Sequence, residues 1–259
     1  VQDGRQDILR YKRNLLKTQW GELFMGRAKR KRIAKQRKSR EKRNLIRLKM
    51  GKRIFFNLTK CNKKLSGISN RVCYKSNMHD LVYKNGHFNN IRYRSSIITK
   101  CNFNDAVLNC VDFCNCNLKN TSFKNAVLKN VCFSTCNLSG VDFTNAKFEN
   151  VYFICTDIEK AKGIPSDTAF KIYRSYPQIN IDEGIQTALI QLAKIQTIFD
   201  ARVIHVSKSK LNMWTIKILI DLYGSNGLDT LLKLREEKKS CKFYTVGSLI
   251  KYIEKSANM

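Results

Sequence analysis

Residues 27–53 hold the densest concentration of chemically distinctive side chains in this 259-residue chain. The segment reads RAKRKRIAKQRKSREKRNLIRLKMGKR, in which 15 of the 27 residues are lysine or arginine and Glu41 is the single acid. Such side chains bind phosphate, and neutralising about six to ten phosphates gives strong binding that weakens steeply with salt. The predicted nucleic-acid-binding residues are Arg27, Lys29, Arg30, Lys31, Arg32, Lys35, Arg37, Lys38, Arg40, Lys42, Arg43, Arg47, Lys49, Lys52 and Arg53.

This segment is predicted to become one continuous helix when it binds. No proline or glycine interrupts it from Arg27 to Met50, and its alanines, lysines and arginines favour helical backbone. Arginine-rich segments that fold on RNA are a recurring recognition device. The mixture of lysine and arginine does not separate RNA from DNA. A solvated tail, a targeting signal, and attachment to an acidic protein or lipid surface are the alternative interpretations.

The excess of positive charge lies mainly toward the amino terminus. The net charge is +29, and residues 1–53 carry 20 basic and 4 acidic side chains. Residues 54–100 carry 9 and 1, whereas residues 101–160 carry 5 and 6. A polyanion is therefore expected at the amino-terminal end. A second candidate surface consists of Arg71, Lys75, Arg92 and Arg94.

The cysteines do not have the spacing of a metal site. Five of the ten cluster in sequence, but there is no CxxC pair and no histidine nearby. Structural packing as small hydrophobes is the favoured interpretation. The clustered cysteines are Cys110, Cys114, Cys116, Cys132 and Cys136.

No catalytic motif emerges elsewhere in the chain. There is no GxSxG, no phosphate loop and no HExxH, so we expect a protein that is not an enzyme and has no cofactor, metal or small-molecule substrate. Asp112 and Asp142 are predicted to point outward as charged surface decoration. There is no apolar run of about 18 residues and no signal peptide, and the many cysteines suit a reducing compartment, so the expected location is cytoplasmic and not membrane-bound.

The element that must position these groups is defined by a strict five-residue period from Cys101 to Lys160. The third residue of each block is large and apolar: Phe103, Leu108, Phe113, Leu118, Phe123, Leu128, Phe133, Leu138, Phe143, Phe148, Phe153 and Ile158. The first residue is small or β-branched, as at Cys116, Ala126 and Val131. Neither a helix nor a flat strand has a period of five, so each block is predicted to form one side of a tightly wound coil.

These twelve consecutive blocks resemble the pentapeptide-repeat family. The resemblance covers about residues 66–162 and implies a right-handed quadrilateral β-helix with four blocks per coil. Aromatic residues recur every twenty positions, at Tyr83, Phe103, Phe123 and Phe143, which agrees with that count. A second aromatic column consists of Tyr93, Phe113, Phe133 and Phe153. We expect roughly five coils, with Lys63 breaking the pattern and asparagines at the corners.

The segments that flank the repeats are helical in pattern. Residues 5–25 predict an amphipathic helix that packs on the rest of the chain or docks on a partner protein. After the repeats, helices are predicted over 182–202, 209–223, 228–239 and the stretch that follows Thr245. These helices are expected to cover the exposed last coil near Phe153 and Ile158.

The predicted fold is therefore a β-solenoid with a basic N-terminal helical arm and a C-terminal α-helical bundle. The boundaries are an amphipathic helix at 1–25, a basic arm at 26–53, the β-helix at 54–162 and the helical C-terminal domain at 163–259.

The predicted function is that of a non-enzymatic accessory or scaffold protein, by analogy bacterial or phage, whose arm grips RNA or DNA. A protein interaction scaffold without nucleic acid, joined through the C-terminal helices or the amphipathic helix, is the alternative. The family resemblance adds a third class, DNA mimics that protect topoisomerases, but mimicry needs a strongly negative surface.

Overall fold

The computed structural model describes residues 55–166, 170–235 and 243–257, together with ten positions between Lys31 and Met50. Eight strands wind into one parallel solenoid. They are β1 Phe55–Lys64, β2 Gly67–Val82, β3 His87–Arg94, β4 Ile97–Thr99, β5 Val107–Cys114, β6 Val127–Ser134, β7 Lys147–Ile154 and β8 Phe170–Tyr173.

Successive coils are offset by twenty residues. Val107 pairs with Val127, and Val127 pairs with Lys147. Strand β1 also pairs in parallel with β2, but its register shifts between Cys61 and Lys64, where Lys63 breaks the repeat. The predicted β-solenoid of about five coils is confirmed, and its sheet extends beyond residue 162 through β8.

Two aromatic stacks run through the interior, as the sequence predicted. Phe123 lies between Phe103 and Phe143, with ring centroids 5.0 and 5.3 Å away. Phe133 lies between Phe113 and Phe153 at 5.1 and 5.3 Å. All of these rings are fully buried. The interior of the coil is therefore filled with side chains, as expected for a narrow solenoid.

Every fifth residue from Asn70 to Cys155 turns a corner of the coil. Each has a left-handed φ, between 45° and 69°. Asparagine tolerates this conformation better than most residues, which explains its recurrence. The asparagine side chains also join successive coils, since the amide of Asn150 donates to Oδ1 of Asn130 at 3.1 Å.

The first position of each block contributes a second set of links between coils. The hydroxyl of Thr121 donates to the carbonyl of Ile98 at 2.7 Å, and the thiol of Cys136 donates to the carbonyl of Phe113 at 3.2 Å. Both acceptors lie 23 residues earlier in the chain. Small side chains with a hydrogen-bond donor therefore suit this buried position.

The C-terminal part forms a mostly helical domain. Its helices are α1 Glu183–Gln191, α2 Gln196–Ala201, α3 Met213–Tyr223, α4 Ser225–Leu232 and α5 Val246–Ala257, with a short antiparallel pair, β9 His205–Ser207 and β10 Lys210–Leu211. Asp182 caps α1 by accepting the N–H of Ile185 at 3.0 Å, and Thr245 accepts the N–H of Ser248 at 3.1 Å. The helix predicted over 182–202 is interrupted at Ile195, where the backbone is extended.

Within the ranges that the structure describes, no helix covers the last coil, so that expectation was wrong. Ile164 and Phe170 pack over the end of the solenoid, where the Phe170 ring lies 5.7 Å from Phe153. The helical domain packs on a lateral side instead, with α5 against β5 and β6. Tyr152 and other outward residues of that side join the core of the helical domain. No helix among the described residues is long and apolar enough to cross a bilayer.

Candidate nucleic-acid interface

The basic arm presents a row of lysines at the positions that the structure describes. Lys31, Lys35, Lys38, Lys42 and Lys49 have helical backbone and exposed side chains. On a continuous helix, their spacings of four, three, four and seven residues would place them on one face. At 1.5 Å per residue, this lysine stripe would then extend about 27 Å. A row of amines of this length can contact successive phosphates of one polyanion.

Arg43 is also helical and exposed, beside the stripe. The remaining predicted binding residues lie outside the described residues, as does the amphipathic helix predicted over 5–25. They are Arg27, Lys29, Arg30, Arg32, Arg37, Arg40, Arg47, Lys52 and Arg53.

The second candidate surface is split by the structure. Arg92 is buried, and its Nη1 donates to Oδ2 of Asp112 at 2.6 Å. Its Nη2 donates to the carbonyl of Arg202 at 3.1 Å, which ties the solenoid to the helical domain. Arg92 is therefore a structural residue and is not available to a polyanion.

Asp112 is likewise not a surface residue, which corrects the sequence prediction. The residue has no exposed area, and Oδ2 accepts both Arg92 and the backbone N–H of Val246, at 3.0 Å. Burial raises the pKa of its carboxyl to about 6, although Arg92 and the Val246 N–H act in the opposite direction. Asp142, in the same position of its block, is half-buried and pairs with the exposed Lys124 at 3.2 Å.

A glycine allows the helical domain to approach this closely. A Cβ added at Gly247, in the first turn of α5, would lie 2.6 Å from the carbonyl oxygen of Asn130 and 2.9 Å from Cα of Cys110. The helix therefore begins directly on the corner of the coil. The side chain of Thr245 adds a contact to Oδ1 of Asn90 at 3.4 Å.

Of the second candidate surface, Arg71 is half-buried and Lys75 is exposed, whereas Arg94 lies in a basic and aromatic region. Its guanidinium is 5.9 Å from the Tyr74 ring. Burial, followed by the nearby charges of Arg92 and Arg202, lowers the pKa of Arg94. Arg202 stacks on the Phe199 ring at 3.6 Å. No sequence signal pointed to Arg202, because its place beside Arg94 depends on the docking of the two domains.

The acids on the outer sides of the solenoid are mostly neutralised by lysines. Lys84 pairs with Asp105 at 3.5 Å, and Lys129 pairs with Glu149. Residues 66–166 carry 12 basic and 7 acidic side chains in all. The described solenoid surface therefore has no excess of negative charge.

Of the eight cysteines whose side chains are described, six are buried, Cys114 is half-buried and Cys155 is exposed. Cys101, Cys116 and Cys136 occupy inward positions, as predicted. Burial raises the pKa of Cys73 and of Cys101 to about 12, so these thiols stay protonated near neutral pH. Within the described ranges, no group of three or more His, Cys, Asp or Glu residues is arranged to hold a metal ion.

Comparison with known proteins identifies the repeat region. Residues 86–163 match the family model described as "Pentapeptide repeat region". No curated protein matches the chain significantly.

Several solved structures are similar to part of this chain. A pentapeptide repeat protein from the thylakoid lumen of Arabidopsis thaliana is 17% identical over 39% of this chain and 71% of that chain, with a TM-score of 0.28. Full-length QnrB1, a plasmid-mediated fluoroquinolone resistance protein, is 15% identical over 39% of this chain and 58% of that chain, with a TM-score of 0.27. The pentapeptide repeat protein Rfr23 from the cyanobacterium Cyanothece 51142 is 16% identical over 51% of this chain and 99% of that chain, with a TM-score of 0.26.

Proposed function

We propose that this chain, whose residues 66–162 form a pentapeptide-repeat β-helix, is a non-enzymatic scaffold that binds nucleic acid through its basic arm. The arm contacts the phosphates of RNA or DNA, and the β-helix with its docked helical domain forms the rigid body of a nucleoprotein complex. Scaffold-type organisation agrees with the repeat architecture. The nucleic-acid step rests on charge.

The lysine stripe carries the proposal. Five exposed lysines with helical backbone, Lys31, Lys35, Lys38, Lys42 and Lys49, are spaced so that they would share one face of a continuous helix. Glu41 is the single acid in the whole arm. Because each lysine that neutralises a phosphate releases a condensed counterion, binding by such a row is strong at low salt and weak at high salt.

The rest of the described structure is consistent with this role. The solenoid interior is packed with side chains, so binding has to use outer surfaces or the arm. The excess of basic over acidic residues between 66 and 166 disfavours the DNA-mimic alternative, because a DNA mimic requires a negatively charged surface. The basic region at Arg94 and Arg202 provides a further surface of the correct charge.

The test replaces the five stripe lysines with glutamine in the full chain. Binding to single-stranded RNA, single-stranded DNA and duplex DNA is measured by fluorescence anisotropy at several salt concentrations. We expect the slope of log affinity against log salt to become shallower by about 4, since each phosphate contact contributes about 0.7 to 0.9. The matched control replaces five exposed lysines elsewhere with glutamine, namely Lys100, Lys119, Lys147, Lys162 and Lys255.

An equal loss in both variants would show that only net charge matters and would contradict a specific role for the arm. The absence of nucleic-acid binding by the unmodified chain would favour the protein-scaffold alternative. One observation supports that alternative. Leu45, Ile46 and Met50 are exposed apolar residues at the end of the arm, where a partner protein can cover them. Association with one protein that does not depend on salt is its expected signature.

A further inference from the structure

Where the solenoid meets the helical domain, an aromatic cleft opens to solvent. The cleft, about 430 Å³ in volume, is lined by the end of β8, the following loop and the first turns of α3. Its principal lining side chains are Tyr173, Arg174, Tyr176, Trp214 and Lys217. None of these residues belongs to the candidate nucleic-acid interface described above.

The aromatic rings of the cleft are arranged around Trp214. The Tyr176 ring lies 5.8 Å from it with an interplanar angle of 77°, and the Tyr173 ring lies 6.3 Å from it at 56°. Tyr173 and Trp214 pack partly against the core of the helical domain, whereas Tyr176 is 66% exposed and lies outside that core. The fold does not account for an aromatic side chain left this exposed. Its face is available for stacking against a planar ligand.

The charged side chains beside the rings include three cations and one carboxylate. Arg174 and Lys217 line the cleft, and Lys171 lies on the adjoining strand. The nearby carboxylate of Asp221 is already occupied, because it accepts the Tyr173 hydroxyl at 2.8 Å and pairs with Lys217. The site therefore combines stacking faces with cations, which fits a planar group that carries a negative charge.

We infer that this cleft holds one nucleotide of a single-stranded nucleic acid, with its base against Tyr176 and Trp214 and its phosphate beside Arg174. The inference rests on the proposed function and deepens it. A lysine row contacts only phosphates, which duplexes and single strands share, whereas a stacking site needs an unpaired base. The cleft would therefore give the protein a preference for single strands.

Tryptophan fluorescence provides a direct test. The chain has two tryptophans, so Trp20→Phe leaves Trp214 as the single reporter. This variant is titrated with a 20-nucleotide oligo(A), a 20-nucleotide oligo(U) and the duplex of the two RNAs. We expect the single strands to quench Trp214 emission and the duplex to leave it largely unchanged.

Variants of the cleft locate the contact. Tyr176→Ala should weaken single-strand affinity about 5- to 150-fold, because a stacked base contributes about 1–3 kcal/mol. Tyr176→Phe keeps the ring and should retain both affinity and quenching. Arg174→Gln should make the slope of log affinity against log salt shallower by about one phosphate contact. Lys119→Gln, at an exposed position outside the cleft lining, should leave that slope largely unchanged.

The outcomes separate this inference from the proposed function. RNA binding that depends on the arm lysines but leaves Trp214 emission unchanged would overturn the cleft and leave the arm in place. Quenching that persists in the five-lysine variant, at higher RNA concentration, would support the cleft as an independent contact. Emission that changes with protein concentration alone, together with self-association, would show that a segment of a second copy occupies the cleft and would overturn the inference. Equal quenching by duplex and single strands would also overturn it.

Discussion

The carboxylate of Asp112, on the side of the solenoid, accepts the backbone N–H of Val246 at 3.0 Å, although 134 residues separate the two in sequence. The same oxygen accepts the guanidinium of Arg92 at 2.6 Å. One buried carboxylate therefore holds together two successive coils and the first turn of α5. This arrangement links the helical domain to the side of the solenoid.

Asp112→Asn should destabilise the protein strongly. The substitution keeps the shape of the side chain but leaves the Arg92 charge buried without its counterion, which typically costs about 3–5 kcal/mol. Asp142→Asn is the matched control, since Asp142 has the same block position but pairs with an exposed lysine, and it should cost less than about 1 kcal/mol. Urea denaturation compares the two. Equal effects would contradict the buried pairing.

Gly247→Ala should also destabilise the protein, against the usual trend for helices. Alanine normally stabilises a helix by up to about 1 kcal/mol relative to glycine. At Gly247 its Cβ would collide with the backbone of Asn130 and Cys110, so the docking would have to loosen. Gly184→Ala, in α1, meets only a side-chain oxygen at 3.0 Å and should be neutral or stabilising. Thermal melts of both variants test whether the helix sits on the coil as described.

Tyr93→Phe should leave stability unchanged or raise it. Tyr93 occupies an aromatic column in which the next three members are phenylalanine, and its buried hydroxyl has no hydrogen-bond partner among the described residues. Burying an unpaired hydroxyl costs about 1–3 kcal/mol, and the substitution removes that cost without opening a cavity. A lower unfolding free energy for Tyr93→Phe would indicate that the hydroxyl is satisfied after all.

Phe123→Ala should cost about 3–5 kcal/mol, because it removes a fully buried ring from the middle of a stack and leaves a cavity. Lys124→Ala, one position along, changes an exposed side chain in a surface ion pair and should cost less than about 1 kcal/mol. Chemical denaturation measures both. Similar values would mean that the inward and outward positions of the repeat are assigned wrongly.

Stability should fall in mild acid through His205. This side chain is buried, its Nε2 lies 2.9 Å from the carbonyl of Leu189, and burial lowers its pKa from the ordinary value of 6.5. Because the folded state disfavours the proton, the unfolded chain binds it first as pH drops through 6.5, and the free energy of unfolding decreases. The free energy of unfolding of the wild type should therefore decrease relative to that of His205→Gln as the pH falls from 7.5 to 5. A pH-independent difference would contradict the buried, neutral histidine.

The repeat architecture was predictable because each coil buries the same column as its neighbours. The recurrence of phenylalanine at positions 103, 123 and 143 therefore reveals the twenty-residue repeat. The asparagines at the corners follow from the left-handed backbone angle that each turn requires. The docking was not predictable by the same logic. Asp112 and Asp142 have identical block positions, and only a helix more than a hundred residues away makes one of them buried.

Of the two candidate binding sites, the basic arm could be predicted from the sequence and the aromatic cleft could not. The basic arm is evident from composition alone, since charge density needs no tertiary contact to be recognised. The aromatic cleft needs Tyr176 and Trp214, which are distant in sequence and meet only because β8 ends beside α3. No repeat or spacing in the sequence marks that meeting point. The interruption at Ile195 within the predicted helix over 182–202 was likewise hidden, because the apolar pattern continues across it.

The lateral docking also restricts how this protein can evolve. Most solenoids lengthen or shorten by duplicating or deleting a coil, since one coil is equivalent to the next. Here α5 and the residue before it contact Asn90, Asp112 and Asn130 on three consecutive coils. Duplicating one twenty-residue coil between these contacts would move the contacting residues about 4.8 Å farther apart. Because the geometry of α5 is fixed, the helix could then no longer make all of these contacts. Insertions of whole coils are therefore compatible with this fold only outside residues 90–130, toward either end of the solenoid.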